Sequence, residues 1–277
     1  MNLAAMVGIR APSDGRATLR AATRLWLLVT LIGQWAFLYY LAGFYVRTIV
    51  TARPEEWNLN RMLPRGYVAG DPHWNLSFGA HVMLAAVIAF GGTLQMIPRI
   101  RERAIAFHRW NGRVFMLTAL GGGLTGLWMV WMRGAQLGGG ALGNVSLTLD
   151  ASLIVVFGVI AWVLVRKGRI EAHRRWALRL FMVANGVWFL RIGIFGWYVL
   201  TGGIGLGENL TGPVGLCFDF TSYLLPLGVL ELYLRARDGG GYGARITAAV
   251  TVLLSTAYMC VGTFALTMAQ LPLLPRF

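Results

Sequence analysis

Five ionisable side chains interrupt long apolar runs in this sequence: His81, Asp150, Arg191, Asp219 and Glu231. Asn185 and Gln95 are their neutral companions. If those runs cross lipid, each charge costs about 2.5–3.5 kcal/mol on insertion scales and needs a partner or a purpose. At about 1.5 Å per helical residue, His81, Asp150, Arg191 and Asp219 fall in one layer, displaced toward the same end of their runs. Arg191 stays charged at any relevant pH, so Asp219 or Asp150 is its expected counter-ion. The layer then has two readings. It is a structural ion pair that fixes helix packing, or a polar pocket open to one side in which His81 titrates or ligates. Glu231 lies close to the end of its run and reaches toward Arg235.

His108 and His173 form a second set, each placed where a basic loop meets an apolar run. Imidazole ligates metals and carries protons near neutral pH. Two histidines at one depth in a bundle suit the axial positions of a single b-type haem. Arg109, Arg113, Arg174 and Arg175 would then meet its propionates, or lipid headgroups in its absence. The same residues suit plain interfacial capping and anchoring. The chain has four histidines, one of them the loop residue His73, so a two-haem wire with four axial imidazoles has too few ligands. Cys217 and Cys260 show no metal-ligand spacing and behave as small apolar groups. Nucleotide, serine-hydrolase and zinc-protease motifs do not occur, and the single lysine, Lys167, makes Schiff-base chemistry a poor fit. No catalytic residue is assigned.

The elements that must position these groups follow from composition. Hydrophobic residues make up 57% of the 277 and charged residues 13%, about half the ~25% of soluble domains. Seven apolar stretches, 25–46, 76–97, 111–132, 147–165, 177–200, 214–234 and 246–269, are each near the roughly 20 residues that cross hydrocarbon as a helix. The first exceeds the core of a cleaved signal peptide and no cleavage-type site follows it, so it reads as a retained anchor. The expected fold is an all-α polytopic bundle of seven transmembrane helices. It comprises an N-terminal segment 1–24, a first span with its loop 25–75, a four-helix core 76–200, and two peripheral spans with a tail 201–277.

The formal charge of +14 is topogenic. Alternate gaps hold 18 basic residues against six in the other set. The positive-inside bias therefore puts the N-terminus in the cytoplasm and the C-terminus outside. Nucleic-acid binding finds no supporting module; the lipid bilayer is the expected partner, with other membrane subunits as a further option. Tryptophans 26, 74, 110, 131, 176 and 197 near the stretch ends read as an interfacial belt. Segment 50–75 reads as a loop folded over the bundle. Glycines 138–140 and 239–241 read as turns, whereas Gly121 to Gly123 with Gly126 allow close helix approach.

An echo supports the four-helix core. Trp110-x-x-Arg113-x-Phe115-Met116 matches Trp176-x-x-Arg179-x-Phe181-Met182, each after a His-Arg pair. A duplicated helical hairpin accounts for it.

His81, Pro98-Arg99-x-Arg101, Phe107-His108-Arg109-Trp110-Asn111-Gly112-Arg113 and Gly168-Arg169-x-Glu171-Ala172-His173-Arg174-Arg175-Trp176 together resemble an uncharacterised family of bacterial predicted membrane proteins, over roughly 76–200. The resemblance implies a bacterial inner-membrane location, with a periplasmic C-terminus, and marks His81, His108 and His173. A weaker likeness is to four-helix transmembrane cytochromes b, from which this chain departs by lacking the full set of paired histidines. Three functions remain open: a haem-associated or redox membrane protein, a small-solute or proton-coupled transporter, and a non-catalytic accessory subunit of a larger complex.

Overall fold

The computed structural model describes residues 14–60, 66–133 and 140–274; Gly138 and Gly139, expected in a turn, lie outside them. Among the described residues the regular structure is helical, without strands. Helix α1 (Arg16–Tyr40) continues through a π-helical turn, Leu41–Val46, into α2 (Arg47–Val50). Then follow α3 (Pro72–Met96), α4 (Pro98–Arg103), α5 (Ile105–Arg133), α6 (Gly140–Arg166), α7 (Ile170–Ala184), α8 (Gly186–Thr201), α9 (Pro213–Asp238) and α10 (Tyr242–Gln270). Six helical segments are long and apolar enough to cross a membrane. The pair α7–α8, bent by 52°, makes a seventh when counted as one span. Each of the seven apolar stretches lies almost wholly within one of these spans, so the all-α membrane bundle stands, with one difference: the fifth span is broken.

Local chemistry sets the helix ends. Asp71 caps α3, its Oδ1 accepting from the Trp74 N–H at 2.9 Å, and prolines 72, 98 and 213 occupy first turns where their missing N–H costs nothing. Gly202, at φ +70°, ends α8 in the left-handed region. Inside the spans, hydroxyls of Thr30, Thr118 and Thr256 donate to carbonyls one turn back, which satisfies them within their own helix. Leu117, Leu254 and Phe264 stay about two-thirds exposed, as a lipid-facing exterior requires.

Helix α3 packs on α5, α5 on α6 and α6 on α7; α10 joins α1, α8 and α9, and α1 returns to α3. Close approach relies on glycine. Gly121 and Gly122 of α5 meet Leu84 and Ile88 of α3, and Gly126 lies under the His81 ring. Gly262 of α10 lies against the Ile192 carbonyl of α8 with no room for a side chain.

The two ends of the bundle differ. At one, the start of α1 meets the start of α10, where Arg245 donates to the Asp14 carbonyl at 2.9 Å. The start of α7 meets the end of α9, where Arg175 pairs with Asp238 at 2.8 Å and Arg237 with Glu171. This is the arginine-rich end. At the other, a 3-10 turn, Pro54–Leu59, folds over the bundle as the loop reading expects. Its Trp57 is buried against Tyr45 and Phe78 and donates to Thr48 Oγ1 at 2.7 Å. The tryptophan belt is partial: Trp110 and Trp131 face outward, whereas Trp74 is buried and stacks on Phe78.

Candidate functional site

The break in the fifth span begins at Asn185, whose φ of −102° and ψ of 13° leave the helical region. Its side chain repairs the gap. Nδ2 donates to the Phe181 carbonyl at 2.8 Å, and Oδ1 accepts from Gln34 Nε2 of α1 at 2.9 Å. Both side chains are buried, and Gln34 Oε1 has no hydrogen-bond partner among the described residues. Gln34 carried no signal beyond being an amide inside an apolar run. The break did carry one, since Asn-Gly is a turn dipeptide.

Asp150 of α6 sits at the start of α8. Its Oδ2 lies 3.1 Å from where a Gly186 side chain would begin, and its Oδ1 is buried and unpartnered. Asp150 thus lies beside the first turn of α8, where backbone N–H groups lack helical partners and the helix dipole is positive, without a hydrogen bond between them. Next to it, Ser146 Oγ donates to the Asp219 carbonyl at 2.8 Å and meets Tyr223 Oη at 3.2 Å. Tyr223 lies within electrostatic reach of both Asp150 and Asp219. The structure therefore gathers Asp150, Asn185 and Asp219 around the broken span.

Arg191 corrects the sequence expectation. It pairs with neither Asp219 nor Asp150, and neither carboxylate forms an ion pair with any described arginine. The described residues include all eleven acidic side chains, and none bridges to Arg191. Its guanidinium instead lies 4.9 Å over the Phe37 ring of α1. Helix rotation explains the miss: shared depth does not mean a shared face. A cation–π contact is worth about 0.5–2 kcal/mol, less than the ~2.5–3.5 kcal/mol that the charge costs on insertion scales.

His81 shares the Arg191 side of the layer, within its electrostatic reach, as is Tyr40. His81 Nδ1 lies 3.0 Å from Thr125 Oγ1. Thr125 spends its own proton on the Gly121 and Gly122 carbonyls, so Nδ1 is the donor and Nε2 keeps its lone pair. Asn60 Nδ2 donates to the phenol oxygens of Tyr40 and Tyr45, both at 2.9 Å.

At the arginine-rich end, His108 and His173 lie within electrostatic reach of each other. His173 Nδ1 bonds the Ala161 carbonyl at 2.8 Å, which orients Nε2 away from α6, and His108 Nδ1 is unpartnered. Two turns deeper the rings of Phe115 and Phe181 stack with centroids 6.5 Å apart. A haem at this pair is thereby confined to the outermost turns. Of the surrounding arginines, Arg174 pairs with Glu171 at 3.3 Å and Arg175 with Asp238, while Arg113 lies over Trp110 and Arg109 is exposed. No group of three metal-ligating side chains occurs among the described residues. Glu231 does not turn to Arg235: Arg179 holds it in a two-pronged pair at 2.6 and 2.9 Å.

Residues 78–206 match the model of a family described as a predicted membrane protein (DUF2306), in line with the resemblance over 76–200. The matched stretch holds His81, Asp150, Asn185 and Arg191 and stops short of Asp219. No curated protein and no solved structure matches the chain.

Proposed function

We propose that this membrane protein carries a small polar solute across the bilayer, coupled to a proton, at the break in its fifth span. The observation that carries this reading is the buried, unpartnered Oδ1 of the half-buried Asp150 beside the start of α8. A half-helix whose first turn points into the membrane interior is the device by which carriers present backbone donors to a ligand at mid-bilayer. A buried carboxylate beside it suits proton uptake and release. Asn185 Nδ2 supplies the Phe181 carbonyl with the hydrogen bond that a continuous helix would make itself, and Gln34 holds the Asn185 side chain in place.

Water access tests the proposal. In a Cys217→Ser/Cys260→Ser background, Ser146→Cys and Ser222→Cys should react with a membrane-impermeant thiol reagent, at rates that change with pH. Both positions sealed from both sides of the vesicle would sink the carrier.

The basic-residue bias supports an arginine-rich end in the cytoplasm of a bacterial inner membrane, with the C-terminus in the periplasm. The hairpins α3–α5 and α6–α7 read as duplicates. In support, Arg113 over Trp110 at 4.8 Å repeats as Arg179 over Trp176 at 4.6 Å, and the two echoed phenylalanines meet. A second reading, one b-type haem between His108 and His173, draws on the Ala161 carbonyl that orients His173. It predicts a Soret band in purified protein that His173→Ala removes; colourless protein after haem-supplemented growth would exclude it.

A further inference from the structure

We propose that Arg191 is the anchor for an anionic oxygen group, carboxylate or phosphate, of a ligand that reaches it from the arginine-poor end. The inference deepens the carrier reading by naming the charge of what is carried. It starts from a guanidinium ten residues inside the end of α8, roughly 15 Å along the helix. None of the eleven acidic side chains bridges to it, and its one close aromatic neighbour, Phe37, supplies less than lipid burial costs. A fixed cation at that depth calls for a counter-charge, and the acidic side chains do not provide it.

The surroundings fit an anion. Asn60 donates to the phenol oxygens of Tyr40 and Tyr45, which leaves at least one phenol proton uncommitted on the Tyr40 side that Arg191 shares. His81, whose Nδ1 proton is committed to Thr125, can meet such a ligand only by accepting, through Nε2, from an O–H that the ligand brings, as hydrogen phosphate does. The guanidinium fork matches two oxygens of one carboxylate or phosphate. Neither Asp150 nor Asp219 forms an ion pair with Arg191, so neither occupies its guanidinium fork. The layer thus sets the Arg191 guanidinium apart from the acidic side chains Asp150 and Asp219 near the start of α8.

The test uses the full chain in nanodiscs of neutral phosphatidylcholine, with unfolding followed by tryptophan fluorescence at constant ionic strength. Sodium benzoate and sodium phosphate are titrated in one arm, and phosphatidylglycerol is added to the discs in the other. A saturable rise of the unfolding midpoint is expected, with the apparent Kd at least tenfold weaker in Arg191→Gln and unchanged in Arg113→Gln. His81→Gln should weaken it about threefold and provides the readout should Arg191→Gln fail to fold. A response to the free salts makes the ligand a solute, and a response to phosphatidylglycerol alone makes it a lipid headgroup; either supports the site. No saturable rise with any of the three, or a rise that survives both Arg191→Gln and His81→Gln, overturns it. The binding readout requires no transport, so it stands or falls apart from the thiol-access test.

Discussion

The arginine-rich end and the mid-membrane layer hold helices together by opposite means. At the end, α7 is tied to α9 by Arg179–Glu231, Arg175–Asp238 and Arg237–Glu171, and α1 to α10 by Asp14–Arg245. Every acidic side chain there between Glu171 and Asp238 has an arginine. In the layer, Arg191, Asp150 and Asp219 sit within the same few turns and form no pair. What holds the helices at that depth is close packing: Gly33 under Trp188, Gly193 under Phe218 and Gly262 against the Ile192 backbone. The lesson is that charge joins helices at the arginine-rich end and is left unpaired by other side chains in the layer. An unspent charge in lipid is costly, which is why we propose a ligand for the layer.

The largest expected effect breaks the packing side of the comparison. Gly262→Ala places a methyl group against the Ile192 carbonyl and should cost about 3 kcal/mol, the upper range for overpacking. Gly241→Ala, with nothing within 4 Å of the added carbon, should change stability by less than about 0.5 kcal/mol. Equal unfolding midpoints for the two variants would mean that the helices are not held by that contact.

The charge side is sharpened by a double-mutant cycle on Arg179→Ala and Glu231→Ala. The pair is two-pronged but partly open, with side-chain exposures of 18% and 34%, so a coupling of about 1.5 kcal/mol is expected, between the exposed and the buried limits. A coupling near zero would mean that the pair does not join the helices.

Asn185→Ala strips the Phe181 carbonyl and the Gln34 amide of their partners. It should cost about 1 kcal/mol in the unfolding midpoint, in keeping with buried amide bonds in membrane bundles. No loss would show that the break is not held by these bonds. Smallest of all, Asp150→Asn should leave stability within about 0.5 kcal/mol, because the carboxylate has no partner to lose, yet it should abolish proton-linked uptake in vesicles. A large loss of stability would make Asp150 a structural group.

Much of this architecture is legible from residue order, and the reason is physical. Lipid demands helices of a set length, so seven apolar runs predict seven spans, and the loop at Trp57 is foreshadowed by its mixed charge and prolines. The polar residues were legible as a depth layer, because depth is counted along one helix. Their partners were not, because partnership depends on the rotation of each helix and on which neighbours it meets. Arg191 and Asp219 share a depth and face different helices. Glu231 had Arg235 four residues away, and Arg179 across the interface won by offering two parallel hydrogen bonds. The bend at Asn185-Gly186 had a turn signal, hidden inside a run whose hydropathy argued for an unbroken helix. Nothing in the order of residues singled out Gln34 or the π-helical turn at Leu41–Val46.

One comparison of unfolding midpoints reaches the centre of the account: Arg179→Gln against Arg191→Gln, both in neutral lipid without added anion. The account predicts that Arg179→Gln unfolds several degrees below the unaltered protein and that Arg191→Gln unfolds at the same temperature or higher, since it sheds a charge that no residue balances. An Arg191→Gln midpoint as low as that of Arg179→Gln would contradict it, and would make the guanidinium in the layer a structural group like those at the end.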